Sequence, residues 1–112
     1  MSAGHLSPAS ERRRRSREQL VRAIYQWQLA ETGIADLAEQ FTANKRRAVD
    51  TDHFMRLLEH VLENVDSLDA VIRRFADRAP EQLDEIGRSI LLVGIAELSI
   101  CDDVPVKVAI NE

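Results

Sequence analysis

The 112-residue sequence predicts an all-α protein. Three observations carry that expectation. Apolar residues recur at i, i+3 and i+4 along most of the chain, Ala, Leu, Glu and Arg are plentiful, and aromatics make up only 4% alongside 4 Gly and 3 Pro. One domain is the default at this length, and 45% hydrophobic content suffices for a single core.

Ser7 with Pro8, or Ser10 slightly later, starts a first helix that runs to about Glu31 and ends before Gly33. Leu20, Ala23, Ile24 and Trp27 form its buried stripe, while Arg15, Glu18, Arg22 and Tyr25 follow one another on another face. Residues 1–11 read as a flexible tail on a domain spanning 12–112. A short second helix covers Ile34 to Thr42, with Ile34, Leu37, Ala38 and Phe41 on one side. A basic connector with Lys45, Arg46 and Arg47 follows.

Asp50 or Thr51 caps a third helix over 52 to about 65, whose inward residues are Phe54, Leu57, Leu58, Val61, Leu62 and Val65. A break at Asp66 or Ser67 separates it from a fourth, in which Leu68, Val71, Ile72, Phe75 and Ala79 continue the pattern to about Arg78. Pro80 ends that helix, because the residue before a proline avoids the helical region. Residues 80–84 lead into the most apolar stretch, Ile86 to Ile100, where only Arg88, Ser89, Glu97 and Ser99 are polar. A helix apolar over most of its circumference is expected at the centre, with neighbours on several sides. At roughly 22 Å it is too short, and too polar, for a bilayer. Gly94 costs about 1 kcal/mol relative to Ala in mid-helix, and a close helix–helix crossing is the expected compensation. Asp102 and Asp103 close the helix, Pro105 suits the first turn of another, and Val106, Ala109 and Ile110 begin the stripe of a sixth.

The net charge of −4 conceals an asymmetry. Residues 12–22 hold six Arg against Glu18 alone, leaving 9 basic and 18 acidic residues for the rest of the chain. A concentrated cationic arm on an acidic body points to a polyanionic partner. Positive charge in a helix's opening turns opposes the macrodipole, so the arm is expected to fray until an anion meets it. Arginine pairs with phosphates through its planar fork and stacks on exposed bases, and Tyr25 offers a ring on the Arg22 face. The plainer alternative is a solvated charge cluster beside a half-buried tyrosine. A membrane surface competes less well, because the first helix has no wide apolar face free of core duty.

Catalytic signatures are missing from the sequence: no phosphate loop, dinucleotide fingerprint, metalloprotease pair or nucleophile elbow. His53 and His60 lie seven residues apart, about 10 Å along a helix, too far to share a metal. The single Cys101 suits a reducing cytoplasm, and neither a signal peptide nor a membrane span is evident. No enzyme, metal or cofactor is expected.

Two segments carry a resemblance. RRRRSREQLVRAIYQWQL (12–29) resembles the opening helix of the NusB family of bacterial transcription antitermination proteins. IAELSICDDVPVKVAINE (95–112) resembles the same family's Glu-Leu, Asp-Val-Pro and Lys-Val-Ala-Ile-Asn-Glu stretch. The resemblance implies a NusB-like bundle of five helices plus the start of a sixth, in two small sub-bundles. It further implies binding of BoxA RNA on nascent ribosomal RNA transcripts with NusE, a small-subunit ribosomal protein, in an antitermination complex with RNA polymerase. Matched one by one, Arg12, Arg13, Arg14, Arg15 and Arg17 fall in the RNA-binding arginine segment and Tyr25 on the first-helix tyrosine. Lys107 and Asn111 fall in the Lys-Val-Ala-Ile-Asn motif, and exposed parts of 66–104 are candidates for docking NusE. A fold-sharing alternative is the N-terminal domain of a ribosomal RNA cytosine methyltransferase. Family members continue past this chain's last residue, so the sequence is expected to be shortened, with an exposed apolar face prone to self-association and a homodimer among the outcomes.

Overall fold

In the computed structural model, residues 8–43 and 51–101 are described. They form five α-helices and no strand: α1 (Pro8–Ala30), α2 (Ile34–Thr42), α3 (Thr51–Glu63), α4 (Val65–Phe75) and α5 (Glu85–Cys101). A single 3-10 turn, Pro80–Gln82, leads into α5. The stripe at Val106, Ala109 and Ile110 lies outside the described residues.

The amphipathic patterns become the core as expected. Leu20, Ala23 and Ile24 of α1, Leu37 of α2, Phe54, Leu57, Leu58 and Val61 of α3, Leu68, Val71 and Ile72 of α4, and Leu92, Val93 and Ala96 of α5 are all buried in one continuous cluster. α1 packs chiefly against α5 and α3, α2 closes one side against α1 and α3, and α4 closes the other against α5 and α3. Phe41 stacks on Phe54 at 6.4 Å between ring centroids, joining α2 to α3.

α5 lies among three helices, yet one line of it is open. Ile86, Ile90 and Leu98, spaced in multiples of four, are more than half exposed. Gly94 belongs to that line, and a methyl group added there would meet nothing within 4 Å among the described residues. Among the described residues no close crossing therefore compensates Gly94, contrary to the sequence expectation. Its polar residues, by contrast, are structural. Ser89 and Ser99 are buried. Arg88 donates to Asp69 at 2.6 and 3.1 Å and to Gln28 at 3.0 Å, with its guanidinium 5.9 Å from the Trp27 ring centroid. Gln28 in turn donates to Ser89 Oγ and the Glu85 carbonyl, so one polar network ties α1, α4 and α5 together.

Boundaries differ in three places. The stretch 1–11 expected as a tail is helical from Pro8 on, so the arginine arm lies within α1; Glu11 sits in the opening turn, where its charge suits the dipole. The α3–α4 break falls at Asn64, two residues early, where the side-chain amide donates to the His60 carbonyl and the Asn64 carbonyl accepts from Leu68. α4 stops at Phe75 because Ala76 turns extended, and this leaves Phe75 62% exposed instead of inside. α1 ends ahead of Gly33 as expected, with Glu31 in the left-handed conformation (φ 53°). No helix among the described residues is long and apolar enough to cross a membrane.

Two substitutions check this packing. Gly94→Ala fills open space and removes a helix-interior glycine, so it is expected to raise stability by roughly 0.5–1 kcal/mol in thermal unfolding. A loss instead would mean that something seats against that face. Leu92→Ala, at the centre of the core, is expected to cost about 2–5 kcal/mol.

Candidate functional site

α1, α3 and α5 converge around one half-buried carboxylate. Glu97 of α5 accepts two hydrogen bonds from Arg17 of α1, Nε to Oε1 at 2.7 Å and Nη2 to Oε2 at 3.0 Å. His53 of α3 donates from Nε2 to Oε2 at 3.1 Å. Burial pushes the Glu97 carboxyl up, but the hydrogen bonds and charges of Arg17 and His53 together outweigh it and hold it below the usual carboxylate range. The carboxylate stays ionised, and three helices are fixed to it.

Beside this contact opens a groove of about 640 Å³, lined by Arg13, Arg17, Asp52, His53, Arg56, Glu97, Leu98 and Ile100. Arg13 precedes Arg17 by four residues and so shares its face of α1. Arg56 follows His53 by three on α3 and shares that face in turn. The walls are polar and cationic, and the apolar edge comes from the last turns of α5. Farther along α3, His60 is held neutral by burial, with the Arg56 charge adding to that effect and Glu63 opposing it. Its Nδ1 accepts from Asn64 at 3.3 Å, while Nε2 is buried with no partner among the described residues.

The arginine arm is thereby divided. Arg17 is consumed by Glu97, and Arg14 pairs with Glu11 at 3.2 Å on the exposed surface, where such a pair contributes little. Arg12, Arg13 and Arg15 are exposed and enter no ion pair among the described residues. An open cationic surface therefore remains. Tyr25 is 36% exposed, but it shares its face with Arg15 and Arg22 and does not line the groove. Lys107 and Asn111 lie outside the described residues.

The sequence reading missed Arg56, Asp52 and the pairing of His53 with Glu97. His53 and Arg56 at i, i+3 opposite a strict apolar stripe were a visible signal of a polar face. Their meeting with α1 is a tertiary fact that no local spacing encodes. No group of three or more His, Cys, Asp or Glu able to hold a metal occurs among the described residues.

Comparison with known proteins adds a second line of observation. A family model described as the NusB family matches residues 14–112. The chain is 44% identical to the transcription antitermination protein NusB of Tolumonas auensis over 101 residues, which cover 89% of this chain and 73% of that protein. It is 44% identical to the NusB proteins of Yersinia pestis and Yersinia pseudotuberculosis over 108 residues, covering 96% of this chain and 77% of each.

Acid unfolding reads out the buried charges. His60, lowered from 6.5, contributes stability that is complete above that value and is lost as pH falls through the folded-state pKa. Glu97, lowered from 4.5, contributes stability present above that pH and lost as pH falls further. Stability is thus expected to decline in two stages on acidification. Glu97→Gln should abolish the lower stage and cost about 1–2 kcal/mol at neutral pH, between the limits for exposed and buried pairs. An unchanged acid limb in that variant would remove Glu97 from the account.

Proposed function

The chain belongs to the NusB family, whose curated members matched here are transcription antitermination proteins, and we propose that it acts in antitermination by binding single-stranded RNA through α1. The target is the BoxA element of nascent ribosomal RNA transcripts. NusE binds alongside, and the assembly lets RNA polymerase read through terminators in the cytoplasm. The protein is a binding factor rather than an enzyme.

One observation carries the RNA reading: Arg12, Arg13 and Arg15 are exposed on α1 and are not consumed by carboxylates among the described residues. Guanidinium forks carried on a helix suit phosphate oxygens, and the backbone beneath them is already folded when the strand arrives. Arg14 joins them at small cost, since its exposed pair with Glu11 is weak. Arg17 supports the site by fixing α1 through Glu97. The half-open ring of Tyr25 supplies a stacking platform farther along the same helix. Lys107 and Asn111 are assigned to the RNA face on their motif alone. Exposed Phe75 and the open Ile86–Ile90 line of α5 fall within 66–104, the region proposed to receive NusE. The family match over 14–112 supports reading 12–112 as one NusB-like domain, and the relatives' names favour antitermination over the methyltransferase alternative.

Titration of labelled BoxA-type RNA at several salt concentrations tests the proposal. Affinity should fall steeply with salt. Joint replacement of Arg12, Arg13 and Arg15 by Ala should flatten the log–log slope by roughly 2, at about 0.7 per phosphate contact on a single strand. Unchanged affinity and slope would overturn the role of α1, and equal affinity for a scrambled RNA would overturn BoxA recognition.

A further inference from the structure

We propose that α3 forms a second wall of the RNA path, with Arg56 holding a backbone phosphate across the groove from Arg13. This rests on the RNA-binding reading above and extends it to a residue outside the arginine arm.

The groove is built around charge that the fold does not use. Among the described residues three guanidinium groups line it, and of these only that of Arg17 is tied to a lining carboxylate, by two hydrogen bonds to Glu97. Arg13, from α1, and Arg56, from α3, are exposed and enter no ion pair among the described residues. Glu97 is saturated by Arg17 and His53, so it has little capacity left to draw either free arginine down. Among the described residues, Asp52 is the one further carboxylate on the lining, and it makes no ion pair with Arg56 one turn away. Two like charges on one groove lining repel each other until an anion lies between them.

The occupant follows from continuity. Arg13 belongs both to the cationic line of α1 and to the groove wall, so a strand lying along that line enters the groove at Arg13. A space of about 640 Å³ has room for a sugar-phosphate unit with its base against Leu98 and Ile100. A flexible polyanion bends between two helices more readily than a duplex, which favours a single strand. Asp52 repels phosphate and so tempers the affinity of this site.

The full chain and the same BoxA-type RNA, followed by fluorescence anisotropy across a salt series, provide the test. Arg56→Ala is expected to weaken binding about tenfold and to flatten the salt slope by about 0.7. Arg56→Lys should retain most of the slope, and Asp52→Asn should tighten binding severalfold. Both positions are exposed, so unfolding temperatures should stay close to the parent. If the triple α1 variant loses affinity while Arg56→Ala matches the parent, the second wall is wrong and the α1 reading stands. If the parent itself fails to bind RNA, both fall together. Arg56-dependent binding of an acidic peptide, with RNA binding indifferent to Arg56, would overturn the assignment in favour of a protein occupant.

Discussion

The ionised carboxylate of Glu97 is the constraint on which the arrangement of this molecule turns. A carboxylate taken partly out of water is costly unless its oxygens are satisfied, and here α1 supplies a guanidinium fork and α3 an imidazole. The attraction acts between residues 80 positions apart in the chain, so it joins the opening helix to the last described one. It also sets the rotation of α1: with Arg17 turned toward Glu97, Arg13 one turn earlier faces the same groove, and Arg15 faces away. Position on the helix, rather than arginine content alone, decides which cations stay free.

The other end of α1 is held by different means. Gln28, Arg88, Asp69 and Ser89 form a network in which Arg88 is satisfied twice by a carboxylate and once by an amide. Between these two polar ties lies the apolar core, led by Leu20, Ile24 and Leu92. Helix packing by burial alone tolerates sliding and rotation, whereas directional bonds at both ends select one register. The polar residues of α5 are thus its specificity devices, and its open Ile86–Ile90–Leu98 line is the part these ties leave unconstrained.

Much of this was legible from periodicity. The stripes of α1, α3 and α4 named nearly all of the buried core, because burial is the physical cause of a 3.6-residue pattern. Helix ends were less legible. Asn64 ends α3 through a side-chain bond to the preceding turn, and nothing in the pattern distinguishes it from Asp66 or Ser67. Phe75 followed the apolar rhythm, yet the backbone of Ala76 departs from helical geometry and strands it at the surface. Gly94 was misread for a related reason: apolarity around α5 suggested neighbours on every side, and spacing cannot tell a covered face from an uncovered one. The arginine arm was conspicuous by composition, but its division into tied and free members depends on Glu97 and His53, which come from distant helices.

The central claim is that the tie at Glu97 presents one cationic face, formed by α1 and α3, to an RNA strand. Photocrosslinking of thiouridine-substituted BoxA RNA to the full chain, mapped by mass spectrometry of the crosslinked peptides, addresses it most directly. The account predicts crosslinks concentrated in residues 12–25 and 52–56, competed by unlabelled RNA of the same sequence. Crosslinks confined to α4 and the turn before α5, with α1 untouched, would contradict it.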